Sequence, residues 1–220
     1  MKLIIFDIDG TLIDSNAVDD ACYIQAHKDV LKLESFDTNW ENYSSVTDSG
    51  IADEISLKHR GYQLSDAERE TLEERVVELL RRAPAEGFLP MTGAIEFLDY
   101  LKESSSYQLA IATGGWRPAA CLKLDSAGVS YAEIPMATSS DAVTREGIMR
   151  IALERASARS SDTKYEKVVY FGDGLWDAKA CENLGWPFIG IGRRCEQLKA
   201  LGARAVFPDY SKPDSILKFI

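Results

Sequence analysis

Leu3-Ile4-Ile5-Phe6-Asp7-Ile8-Asp9-Gly10-Thr11, near the start of the chain, runs from an apolar block into a pair of acids. The block shows no polar alternation. It reads as a strand covered on both faces, as in a parallel sheet flanked by helices. In open α/β sheets, ligands sit beyond the carboxyl ends of the strands. Two acids at such an end are costly unless something uses them. Gly10 lets the loop bend and brings backbone close to a ligand. Taken alone, Asp7 and Asp9 fit two readings, a capped turn and a binding site.

Similar apolar runs recur at Leu109–Ala112, Val168–Phe171, Phe188–Ile191 and Ala205–Phe207, with a weaker one at Tyr131–Met136. Helical patterns lie between them. Ile95, Leu98 and Leu101 share one face, as do Ile148, Ile151 and Ala152. Gly128, Gly185 and Gly202 fall where helices should stop. This alternation predicts an α/β fold with a doubly wound, Rossmann-like parallel sheet. Residues 15–88 interrupt it with helical patterns and no convincing strand. Ser65-Asp66-Ala67-Glu68 is a capping-box pattern. It opens a helix with Leu72, Val76, Leu79 and Leu80 on one face, and Arg81-Arg82 close it in keeping with the helix dipole. Asn16–Leu33 and Gly50–His59 also read as helical. The expected organisation is a core of residues 1–14 and 89–220, with 15–88 as an α-helical insert. Ala83–Gly87 and Ile13–Ser15 are the expected hinges. Ser104–Ser106 and Ser157–Thr163 read as loops.

The 220 residues carry a formal net charge of −10, and 45% are hydrophobic. An acidic surface repels nucleic acid and anionic lipid, so neither is an expected partner. A phosphate site on such a chain needs local positive charge or a metal. Cys22, Cys121, Cys181 and Cys195 are far apart, and His27 and His59 do not join them in a zinc-like spacing. They read as free thiols in a reducing compartment. The apolar run before Asp7 is too short for a signal peptide or a membrane span. A cytoplasmic location is the expectation.

Two further strand ends carry polar groups. Thr113-Gly114-Gly115 offers a hydroxyl and backbone N–H groups to an anion, or an ordinary turn. Gly172-Asp173-Gly174-Leu175-Trp176-Asp177 reads either as a helix N-cap with an exposed acid or as a hard-cation site. Together the three segments resemble the haloacid-dehalogenase superfamily of aspartate-nucleophile phosphohydrolases. Its first motif, a hydrophobic strand followed by Asp-x-Asp-Gly-Thr, matches Asp7–Thr11. Its second is matched by Thr113, and its fourth, Gly-Asp-x-x-x-Asp, by Gly172–Asp177. The third motif departs from the pattern. The family usually has a lysine there, and this chain has Arg145 in Thr144-Arg145-Glu146-Gly147. A guanidinium holds carboxylate and phosphate with a rigid fork. Lys123 and Lys164 fit that role less well.

The resemblance implies a magnesium-dependent reaction in two steps. Asp7 attacks phosphorus and forms an aspartyl-phosphate. Mg2+ is held by Asp7, the backbone carbonyl of Asp9 and Asp173, with Asp177 in an outer, orienting position. Thr113, the Gly114 N–H and Arg145 stabilise the transferring oxygens. Asp9 gives a proton to the leaving alkoxide and later takes one from water. Dehalogenases and phosphonatases of the family typically lack an acid at this place, so Asp9 favours phosphate esters. The helical insert corresponds to the family's cap, which excludes water and contacts substrate. Val46-Thr47-Asp48-Ser49-Gly50 reads as a specificity loop or as a plain N-cap turn. Trp40 and Tyr43 read as cap core. Trp116 and Arg117 lie within reach of a substrate, with packing the favoured role. The expected function is hydrolysis of a small phosphorylated metabolite, in the manner of phosphoglycolate phosphatases. A phosphomutase similar to β-phosphoglucomutase and a binding protein without turnover are the alternatives.

Overall fold

A computed structural model describes residues 1–159 and 164–220. In chain order the elements are β1 (Lys2–Phe6), β2 (Ile13–Asp14), α1 (Asn16–Leu31), α2 (Asp48–Arg60), α3 (Asp66–Arg82), β3 (Leu89–Pro90), α4 (Ala94–Glu103), β4 (Tyr107–Ala112), α5 (Arg117–Ser126), β5 (Met136–Ala137), α6 (Arg145–Ser157), β6 (Lys167–Gly172), α7 (Leu175–Leu184), β7 (Phe188–Ile191), α8 (Cys195–Ala200), β8 (Ala205–Phe207) and α9 (Pro213–Leu217). Six strands form one sheet in the order β5-β4-β1-β6-β7-β8, and every neighbouring pair is parallel. Counted within this sheet, the order is that of the doubly wound dinucleotide-binding fold. Its direction reverses between β1 and β6, and the crevice there is where such sheets bind ligands.

Alternation along β1 divides the core into two layers. Ile4 and Phe6 face the layer that holds Leu98 of α4, Leu124 of α5 and Ile216 of α9. Leu3 and Ile5 face the layer of Ile148 of α6, Ala178 of α7 and Leu198 of α8. All four strand residues are fully buried, which is why the run shows no polar alternation. Phe6 pairs in register with Ile111 on one side and Phe171 on the other. The three central strands therefore end at one level, with Asp7 beyond them. The Asp7 N–H still donates to the carbonyl of Phe171 at 2.9 Å, which anchors the start of the loop.

The expected strands are present, with one displaced. The weak run at Tyr131–Met136 yields only Met136–Ala137. Pro135 lacks an N–H for the ladder, and the chain before it turns, with Ile134 N–H on Tyr131 O at 2.8 Å. Residues 15–88 hold α1, α2 and α3. The capping box at Ser65 is formed with Glu68, and Leu72, Val76 and Leu80 are buried on the α3 face. Two paired dipeptides were not anticipated. Ile13 pairs with Pro90 and Asp14 with Leu89, antiparallel, where the chain leaves for these helices and returns. Two residues per strand are too few to show a period. The expected loop at Ser157–Thr163 begins only after α6 ends at Ser157, and residues 160–163 lie outside the described residues. Among the described residues, no helix is long and apolar enough to cross a membrane.

Candidate active site

Asp7 is 4% exposed at the end of β1. Three other elements bring charge to it. Arg145 is the first residue of α6, whose N-terminus is fixed by Thr144 accepting from the Gly147 N–H at 3.2 Å. From there Arg145 Nη1 lies 3.5 Å from Asp7 Oδ1, and its Nε 3.2 Å from Asp177 Oδ1. Asp177 is fully buried in the first turn of α7, with Oδ2 accepting from the Gly174 N–H at 3.1 Å. Asp173 follows β6, and its Oδ2 accepts from Asn16 Nδ2 at 2.8 Å. Asn16 had not been singled out in the sequence. Two glycines permit this crowding. Gly10 has φ of +69°, and a side chain there would collide with the Asp173 carboxylate. A Cβ on Gly114 would lie 3.0 Å from the Arg145 guanidinium. Thr113 is buried beside it, its hydroxyl accepting from the Gly115 N–H at 3.3 Å.

Carboxylate oxygens of Asp7, Asp173 and Asp177 lie within 4.8 Å of one another. Burial pushes Asp7 up to about 7, helped by Asp177 and Asp9 and opposed by Arg145. Burial and then Asp7 push Asp173 up to about 7. Asp177 rises to about 6 through burial, against the pull of Arg145. Arg145 alone does not offset three crowded acids. An all-oxygen, electron-rich donor set of this kind fits a hard divalent cation such as Mg2+. Asp177 already serves Gly174 and Arg145, which suits an outer position.

The Asp9 side chain is turned away from that cluster. Its Oδ1 accepts from the Ser15 hydroxyl at 2.5 Å and its Oδ2 from Lys123 Nζ at 2.7 Å. Lys123 also reaches Asp19 Oδ1 at 2.7 Å. Sequence reasoning weighed Lys123 only as a stand-in for Arg145, a place the structure gives to Arg145 itself. The overlooked signal is positional. Lys123 lies on the buried stripe of α5 with Ala119, Ala120 and Leu124, where a lysine needs a partner. Burial opposes its charge, yet Asp19, Asp9 and Asp48 together hold the ammonium well above lysine's usual range. Lys164 is exposed just ahead of β6, at the opposite end of the sheet.

A cavity opens over Asp7, Thr113, Gly114, Arg145 and Asp173, and its far side is lined by Asp19, Asp20, Trp40, Thr47, Asp48, Trp176 and Arg194. The 46–50 loop forms the expected N-cap turn and also borders the cavity. Thr47 caps α2, accepting from the Gly50 N–H at 3.1 Å, while Asp48 lines the cavity. The Asp48 N–H donates to Gly114 O at 2.8 Å, and its Oδ2 accepts from the Trp116 N–H at 2.8 Å. Burial and then Asp19 push the Asp48 carboxyl well above its usual range. Trp116 has the packing role, fully buried with Nε1 on Ser49 Oγ at 2.9 Å. Arg117 turns from the cavity to Met136 O and Asp141 Oδ2, both at 2.9 Å. Tyr43 packs against Trp40 at 6.0 Å. Trp40 itself does more than fill the core, because it lines the cavity and donates to Asp20 Oδ1 at 2.8 Å.

An acid cluster and an arginine at the reversal point of a doubly wound sheet form a polar ligand site where such folds place their active sites. Residues 1–185 match the haloacid dehalogenase-like hydrolase family, and the chain belongs to it. Solved structures share its fold at low identity. A hydrolase from Pseudomonas syringae is 22% identical, with a TM-score of 0.75 over 100% of this chain and 99% of that one. CbbY from Rhodobacter sphaeroides, in complex with phosphate, is 19% identical, with a TM-score of 0.70 over 96% of this chain and 95% of its own. A predicted phosphoglycolate phosphatase from Haemophilus somnus is 18% identical, with a TM-score of 0.64 over 99% and 98% of the two chains. No curated protein matches the sequence.

Proposed function

We propose that this hydrolase is a magnesium-dependent phosphatase of small phosphorylated metabolites, with Asp7 as the nucleophile. The reading is carried by one observation, a buried carboxylate at the reversal point of the sheet with Arg145 Nη1 at 3.5 Å and Asp173 beside it. Asp7, Asp173 and the Asp9 backbone carbonyl would hold Mg2+, which supplies positive charge to the phosphoryl oxygens when bound. Asp7 Oδ attacks phosphorus and the ester oxygen leaves, forming an aspartyl-phosphate. The Arg145 guanidinium, the Thr113 hydroxyl and the Gly114 N–H stabilise the transferring oxygens. Asp177 keeps Arg145 oriented. Asp9 carries the proton to the departing oxygen and later accepts one from the hydrolytic water.

Residues 15–88 act as a cap in this reading, with the β2–β3 pair and the Ala83–Gly87 stretch as hinges. The leaving group would meet Asp19, Asp20 and Asp48. That favours a neutral or cationic leaving group over a carboxylate such as glycolate. It also disfavours the phosphomutase alternative, since a second phosphate would find Arg194 as the one lining cation there among the described residues.

Turnover of p-nitrophenyl phosphate with and without magnesium tests the proposal. The wild type is expected to hydrolyse it only with the metal, and Asp7→Asn to lose about 10,000-fold or more in kcat. An inactive wild type or an active Asp7→Asn variant would overturn it. Phosphate transfer between sugar phosphates, dependent on a bisphosphate, would reinstate the mutase.

A further inference from the structure

Lys123 takes no part in phosphate or metal binding, yet it is a fully buried charge beside the active site. A buried ammonium is retained only where its hydrogen bonds are good. Here two of its three donors are committed, at 2.7 Å each, to Asp9 and Asp19. The partners come from different parts of the chain. Asp9 lies in the loop after β1, and Asp19 in the first turn of α1. The second oxygen of Asp9 is held by the Ser15 hydroxyl. Both oxygens of the Asp9 carboxylate are thus fixed by side-chain donors, and the donor that bears charge is itself fixed by Asp19.

We infer that Lys123, anchored by Asp19, is a positioning residue that fixes the direction of the Asp9 carboxyl, which carries the proton for the leaving-group oxygen on a lone pair that Lys123 and Ser15 leave free. The inference rests on the phosphatase reading above. Charge-assisted hydrogen bonds are short and directional, and misplacing a reacting group by about 1 Å costs on the order of 100-fold in rate. The same contact ties the aim of Asp9 to α1, so the proton donor is set only while that helix is docked.

Leaving groups of unequal basicity separate this role from a structural one. Nitrophenolate departs without a proton, whereas the alkoxide of benzyl phosphate needs one. The ratio kcat/KM reports steps up to leaving-group departure. Lys123→Met keeps the apolar stem and removes the ammonium. It is expected to lower kcat/KM for benzyl phosphate by about 100-fold, and for p-nitrophenyl phosphate by less than about 5-fold. Asp19→Asn keeps the buried lysine and should show the same split at about 10-fold, so a poorly folding Lys123→Met leaves the test intact. In an Asp9→Asn background, Lys123→Met should cost nothing further, as for two residues acting through one group. Equal losses on both esters, no loss on either, or additive losses in the double variant would overturn the inference and leave the phosphatase reading standing. A wild type with no magnesium-dependent turnover of either ester would remove both.

Discussion

At one end of the cavity, Asp7 and Asp173 follow directly from central strands, and Arg145 opens a helix packed on them. At the other end, Asp19, Asp20 and Asp48 come from or flank α1 and α2, which contribute nothing to the sheet. The first group is held by the ladder that precedes Asp7 and Asp173 and by the burial of Asp7 and Arg145. The second is held by side-chain contacts across to the core, such as Asp48 on the Trp116 and Gly114 backbones. The contrast teaches a division of labour. In the reaction we propose, the sheet end fixes the groups that act on phosphorus, common to any ester, and the helical end presents the groups that meet whatever the phosphate is attached to.

The division can be broken most severely at Arg145. Arg145→Ala should lower kcat by about 1,000-fold with every ester, because the lost interaction lies with the transferring oxygens. Arg145→Lys should recover part of it, as a point charge cannot serve Asp7 and Asp177 together. Losses that varied strongly with the leaving group would contradict the division.

His27 tests the helical end by stability. It is fully buried in α1, with Nδ1 2.9 Å from Tyr23 O, so the ring is neutral and donates from Nδ1. Burial lowers its folded-state value to about 4, with the Tyr23 bond a lesser, opposing effect. The unfolded chain takes up the proton near pH 6.5. Between those values the unfolded state binds more protons. The stability contribution is therefore present above about pH 6.5 and is lost as pH falls toward 4, by about 3 kcal/mol in total. The raised carboxyls of Asp7, Asp173 and Asp177 add an opposite slope common to both proteins, so the urea stability of wild type relative to His27→Gln should fall as pH falls across that window. Parallel slopes would mean that the ring is not buried as described.

The smallest expected effect is at Asp48. Asp48→Asn keeps an acceptor for the Trp116 N–H and removes an ionisable carboxyl from the leaving-group side. It should raise kcat/KM for phosphoglycolate relative to glycerol phosphate by up to about 10-fold, with little change on p-nitrophenyl phosphate. An unchanged ratio would show that the leaving group does not approach this loop.

The same division explains what the sequence made legible. Asp7, Thr113 and Asp173 stood out because each follows a continuous apolar run, and such runs mark buried parallel strands without knowledge of tertiary contacts. Arg145 was found by its order among the motifs, since nothing local separates it from an exposed first-turn residue. Asn16, Asp19 and Lys123 were not legible as a set. Each is an ordinary helical residue by type, and only the tertiary fold, which brings the two side chains together, makes Asp19 and Lys123 partners. Asp48 lay within a loop flagged on flexibility, but its hold on the Trp116 N–H depends on a contact far along the chain.

The pairing of Ile13–Asp14 with Leu89–Pro90 ties the two ends of the helical excursion together at its base. The excursion through α1, α2 and α3 departs and rejoins at a single doorway. Lengthening, shortening or exchanging what hangs there changes the closure entropy of the core only logarithmically. What hangs there can therefore differ in size or sequence without dismantling the strands that carry Asp7 and Asp173.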